Sequence, residues 1–205
     1  MHRLRVQTLG FCLVALCVAI PVSGQTVPKT EVSGGYQFLN FSVEGENESL
    51  GKGWYLDVAG NLTPMLGIVF QVGGNYKSTS ETFSAGGVAA TATSSIKVHE
   101  FLGGVRLNAR SDSTIVPYGQ VLVGGVTGSV EASVASTVPG APPVSFALEE
   151  SGTNVGLELG GGVNFGFTDS LGIRAGADYL RIFEEGGGAN LFRFHIGVVL
   201  SSGRR

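Results

Sequence analysis

Two residues near the end of the chain could in principle move a proton. Asp178 and His195 are an acid and a base of the kind that, completed by a serine, makes the relay of a hydrolase. No serine stands near His195, which shares its parity with Arg193 in the run FRFHIGVVL, so a structural core is preferred to catalysis. Glu158 poses the same question from the middle of NVGLELGGGVNFGF, residues 154–167. By parity, Val155, Leu157, Leu159, Val163, Phe165 and Phe167 fall on one side, and Asn154, Glu158 and Asn164 lie among glycines on the other. Its three consecutive glycines do not make a dinucleotide loop, because a strand rather than a helix follows Thr168-Asp169-Ser170.

The chain opens with MHRLRVQTLGFCLVALCVAIPVSGQ, in which Arg3 and Arg5 precede an apolar stretch ending near Ile20 and a small-residue site at 21–24. Residues 1–24 are therefore expected to be a cleaved secretory signal peptide, leaving 25–205 as one domain. Cys12 and Cys17 both leave with that segment, and Leu16 argues against lipidation at Cys17. Without cysteine, and with only His99 and His195 as histidines, the remainder is expected to carry no disulfide, metal site or cofactor. It holds 11 basic against 16 acidic residues with no basic cluster, which excludes nucleic acid as a partner.

The elements that must position these residues are strands. Glycine is abundant, at 33 residues, and is interspersed with β-branched and aromatic residues. Eight strand candidates alternate along the chain, near 30–43, 51–62, 66–78, 95–109, 115–129, 152–167, 171–182 and 191–200. Links after the second, fourth and sixth are short. The others, at 44–49, 79–94, 131–150 and 184–190, are expected to be long loops at the opposite end. This is the plan of an up-and-down antiparallel meander.

Alternation fits a soluble barrel as well as a membrane one, so the polar face decides. It is mostly glycine with isolated charges and amides, where a water-exposed face would be crowded with Lys, Glu, Ser and Thr. The expected architecture is an all-β, eight-stranded, antiparallel transmembrane β-barrel whose lumen is filled by side chains. Asp57, Glu100, Arg106, Glu158, Arg174, Asp178, Arg193 and His195 fall on the lumen parity. Near balance of their charges is what a closed polar core requires. The turn at 168–170 sets Leu180 opposite Glu158, and the loop at 184–190 sets Arg193 opposite Leu180. Glu158 is then expected to bridge to Arg193 over Leu180, with Asp178 beside His195. Trp54, Tyr76, Phe167 and Phe192 lie near strand ends and are expected to form interfacial girdles.

Five segments, GGYQFLNF (34–41), VPYGQVLVGG (116–125), LELGGGVNFGF (157–167), LGIRAGADY (171–179) and FRFHIGVVL (192–200), resemble the small eight-stranded outer-membrane barrels of the OmpA-like and OmpX-like family. The chain departs from the family's terminal aromatic, since Leu200 ends the alternation and Ser201–Arg205 follow. The resemblance implies a Gram-negative outer membrane with termini in the periplasm, and contact with outer-membrane lipids and lipopolysaccharide. It further implies periplasmic chaperones and the barrel assembly machinery as partners in biogenesis, and a surface ligand held by the long loops. The implied role is non-enzymatic, in envelope integrity or in surface recognition and adhesion. A small passive pore and a lipid A-modifying barrel enzyme are the alternatives.

Overall fold

The computed structural model describes residues 28–43, 46–85, 88–110, 114–137, 144–168, 170–184 and 187–202. The expected signal peptide, 1–24, lies outside them. The strands are β1 (Thr30–Val43), β2 (Glu46–Leu50), β3 (Lys52–Asn61), β4 (Leu66–Ala85), β5 (Val88–Asn108), β6 (Ile115–Thr137), β7 (Val144–Gly166), β8 (Leu171–Glu184) and β9 (Gly187–Ser202). β1 pairs antiparallel with both β2 and β3, each strand from β3 to β8 pairs antiparallel with the next, and β1 also pairs with β9 from Thr30↔Ser202 to Phe41↔Leu191, so the sheet runs in a ring.

β2 and β3 occupy one edge of β1. Between Tyr36↔Trp54 and Leu39↔Leu50 the β2–β3 side carries one more residue than β1, which is a β-bulge at Gly51 to Gly53. The nine strands therefore fill eight positions around the ring, and the expected second strand is β3 with its bulged continuation. At one end the links are tight. Thr63 Oγ1 accepts from the amides of Met65 and Leu66 at 3.3 and 2.9 Å, and Thr168 Oγ1 accepts from those of Ser170 and Leu171 at 3.3 and 3.1 Å. Both turns use the same hydroxyl-capped chemistry.

At the other end the expected loops at 79–94 and 131–150 are largely strand. β4 and β5 pair out to Ala85↔Val88, and β6 and β7 out to Ser136↔Val144. The two stretches read as loop sequence because Ser, Thr, Ala and Gly dominate them and their apolar residues are sparse. In the ladder their hydroxyls meet across strands, Ser78–Ser95 at 3.1 Å, Ser80–Thr93 at 3.2 Å and Thr82–Thr91 at 3.1 Å, and such pairs stabilise a sheet. The expected loops at 44–49 and 184–190 are likewise shortened by β2, β8 and β9.

β6 and β7 are each 23 residues long, about twice the 9–11 needed to cross a bilayer. Their outer halves, with those of β4 and β5, form a four-stranded sheet standing beyond the rest of the ring. Facing reverses along this sheet. In the ring proper the outward residues are apolar, with Phe101, Val123 and Val155 about half exposed. In the extension Val130, Val134, Val144, Phe146 and Leu148 take the parity that faces the lumen lower down, while Ser129, Glu131, Ser133, Ser145 and Glu149 face out.

Candidate functional site

The lumen is built by parity. In β3, Tyr55, Asp57, Ala59 and Asn61 are buried while Trp54, Leu56 and Val58 are exposed. In β9, Leu191, Arg193 and His195 are buried between the exposed Phe192, Phe194 and Ile196. Glycines leave room opposite the long side chains. Gly160 stands across from Asp178, where an added Cβ would lie 1.7 Å from Asp178 Oδ1, and Gly73 stands across from Glu100 with 2.4 Å to its Oε1.

Three arginines organise the charges. Arg174 reaches Asp57 at 2.6 Å and Glu31 at 3.2 Å, while its Nε donates to Asn164 Oδ1 at 2.7 Å. Arg106 reaches Asp57 at 3.1 Å and donates through Nε to Gln120 Oε1 at 2.9 Å. Arg193 serves three carboxylates, Glu100 at 2.5 Å, Glu158 at 2.6 Å and Asp178 at 2.8 Å. Gln120 Nε2 donates to Glu158 Oε1 at 2.9 Å and so joins the Arg106 cluster to the Arg193 cluster. All eight lumen charges singled out in the sequence thus meet in one connected set.

His195 Nδ1 lies 2.9 Å from Asp178 Oδ2, and its Nε2 lies 2.9 Å from the Tyr118 hydroxyl. Tyr118 is itself held between the guanidinium groups of Arg106 and Arg174, whose central carbons are 4.7 and 5.0 Å from the ring centre. Asp178, His195 and Tyr118 are all buried, and the histidine has both ring nitrogens occupied by the lumen set.

Two expectations need correction. Leu191, not Arg193, stands opposite Leu180, and Arg193 stands opposite Asp178. The slip of two residues arises because β8 and β9 extend to Glu184↔Gly187, so the link between them is shorter than the sequence suggests. The Glu158–Arg193 contact survives because a guanidinium on a long stem spans the diagonal. The lumen is also not polar throughout. Leu39, Leu50, Leu102, Leu122, Leu180 and Leu191 are buried together in one cluster with Val126 and Ile182, on the side of the set away from the tight turns. Apolar side chains fill that level because the ion pairs below already satisfy the charges.

Sequence reasoning missed Glu31, Tyr118 and Gln120. They lie on β1 and β6, where the apolar filling places Leu39, Leu122 and Val126 on the inward parity and blurs the alternation. The alternation Glu31, Ser33, Gln37 against Val32, Tyr36, Phe38 was the available signal in β1.

The four aromatic residues expected in the girdles, Trp54, Tyr76, Phe167 and Phe192, fall on the outward parity or at the tight-turn end. Trp54 Nε1 donates to the Tyr76 hydroxyl at 3.2 Å, and that hydroxyl lies 3.1 Å from His99 Nε2. Phe192 packs on Tyr179 with ring centres 5.3 Å apart. Phe167 is 64% exposed at the tight-turn end. Among the described residues no cluster of His, Cys, Asp and Glu has the makings of a metal site.

A ring of strands with its charges paired inside and a belt of apolar side chains outside is a membrane-spanning β-barrel, since strands paired around a ring satisfy one another's backbone groups. Residues 9–201 match the family described as the outer membrane protein beta-barrel domain, and the chain belongs to that family. It is accordingly a protein of the Gram-negative outer membrane. No curated protein matches the sequence significantly. Among solved structures, it is similar to Ail, the attachment invasion locus protein of Yersinia pestis in complex with the heparin analogue sucrose octasulfate, with TM-score 0.54 and 14% identity over 85% of this chain and 99% of that one. It is also similar to Neisserial surface protein A, with TM-score 0.51 and 14% identity over 84% of this chain and 96% of that one. At such identity the likeness is one of fold.

Proposed function

We propose that the protein is a non-enzymatic surface-recognition barrel: a filled, rigid ring that holds the four-stranded β4–β7 sheet outside the cell, with both termini in the periplasm. One observation carries this reading. The ladder continues far past the Trp54–Tyr76–His99 level, and among the described residues 78–85 of β4 and 144–154 of β7 each pair on one side only. Unpaired edges offer backbone donors and acceptors to another chain, and the Val144, Phe146 and Leu148 side chains beside one edge are exposed and apolar. That Ail has been seen with a heparin analogue supports the wider point that a barrel of this fold can present a ligand site. The lumen set supports a structural role for its charges, because each is buried and paired.

The test has two stages. Protease added to intact cells is expected to cut between Thr137 and Val144 and to spare the ring; cutting there only after lysis would place this end in the periplasm and overturn the orientation. Cells carrying the full chain are then compared with cells whose β6–β7 hairpin is shortened beyond Val126 and Asn154, for adhesion to immobilised glycosaminoglycan and matrix proteins. Loss of adhesion with an intact barrel is expected. Equal adhesion by both would leave envelope integrity as the role.

A further inference from the structure

Above Trp54 the wall has a notch. β3 ends its pairing with β4 at Lys52↔Tyr76, while β4 and β5 continue, and the bulge carries β2 away towards β1. The resulting recess of about 420 Å³ is lined by Gly51, Lys52, Tyr76, Lys77, Ser78, Ser95, Ile96 and Lys97. Three of its residues are lysines, in a chain that carries few basic residues.

Lys52, Tyr76 and Lys97 are consecutive partners across the ladder, all on the outward parity of Trp54 and Phe101. Adjacent strands are about 4.8 Å apart, so the two lysines flank Tyr76 at about 10 Å and their side chains can converge in front of it. The hydroxyls of Ser78 and Ser95, 3.1 Å from one another, stand one pair further out. Tyr76 ties this row to the Trp54–His99 pair below. Amphipathic rings seek the headgroup level of a bilayer, which puts the lysines and serines where lipid phosphates lie, on the side that faces lipid.

We propose that this notch holds a phosphate group on the headgroup of an outer-leaflet lipid, bound by Lys52 and Lys97 with Ser78 and Ser95 donating to its oxygens. The proposal rests on the orientation proposed above. Lys97 is already paired with Glu131, so the carboxylate competes with the phosphate for the same ammonium. That competition gives the site a distinctive signature, because removing Glu131 strengthens binding where removing a lysine weakens it.

The experiment is native mass spectrometry of the full chain released from detergent micelles. The probes are diphosphorylated lipid A, the same lipid with its phosphates removed, and inorganic phosphate. Lipid A is expected to be retained over its dephosphorylated form, to lose about tenfold in affinity in the Lys52→Gln, Lys97→Gln double variant, and to gain several-fold in Glu131→Gln. Lys29→Gln removes a charge near the opposite end and is expected to change nothing. Equal retention of the dephosphorylated lipid, equal loss in Lys29→Gln, or no gain in Glu131→Gln overturns the site. Retention of inorganic phosphate as strong as that of the lipid makes it a free-anion site and overturns the lipid source. Micelles have no inside or outside, so failure here leaves the protease result standing, and failure of that result leaves phosphate binding intact while removing its outer-leaflet setting.

Discussion

Arg193 and Glu158 touch at 2.6 Å although they stand on β9 and β7, with β8 between them. The contact passes diagonally over β8 beside Leu180, which is wholly buried and neighbours Glu158 directly. The same guanidinium holds Glu100 on β5, so one side chain links opposite parts of the ring wall.

Removing that cation is expected to be the most damaging single change in the lumen. Arg193→Met leaves Glu100, Glu158 and Asp178 crowded without their shared partner. A buried pair broken on one side costs about 3–5 kcal/mol. Urea unfolding in lipid vesicles should show a loss of that size, and adding Glu158→Gln should recover part of it. A double variant as unstable as the sum of its parts would mean that the two side chains do not interact.

Two glycines offer a contrast within one sheet. Gly160→Ala drives a methyl into Asp178 and is expected to destabilise the barrel by about 1–3 kcal/mol, the usual cost of overpacking. Gly128→Ala meets nothing within 4 Å and should be tolerated. Gel mobility of unheated samples, which separates folded from unfolded barrels, reads both.

Trp54 is the chain's one tryptophan, so its fluorescence reports a single depth. Quenchers carried near the lipid headgroups are expected to dim it more than quenchers at the acyl-chain ends. The reverse order would move the membrane boundary and remove Trp54 and Tyr76 from the girdle.

Amides of the projecting sheet should differ by strand. Those of 78–85 in β4 and 144–154 in β7 pair on one side only, whereas 89–98 in β5 and 127–136 in β6 lie between two neighbours. Hydrogen exchange followed by mass spectrometry should therefore run faster in β4 and β7 segments than in β5 and β6 segments. Uniform slow exchange would indicate that the edges are covered.

Planar bilayers containing the purified chain should show no stepwise conductance. The lumen is closed by paired charges at one level and by Leu102, Leu122 and Leu180 at another, all with essentially no exposure. Regular steps of current would restore the pore as a function.

The ring, its antiparallel order and the direction faced by Asp57, Glu158, Arg174 and Arg193 were legible because a strand's side-chain period is two and an apolar outer face leaves the charges only one place to go. The family was legible for the same reason. What the sequence could not supply was distance between strands far apart in the chain. That Arg193 would gather three carboxylates, that Tyr118 would sit between Arg106 and Arg174, and that leucines would close one end of the lumen all follow from how the ring brings β1, β5, β6, β7 and β9 around a common axis. Composition also misled where residues 79–94 and 131–150 resembled loops. Their Ser, Thr and Ala residues become strand through cross-strand pairing, a property of two segments together that neither shows alone.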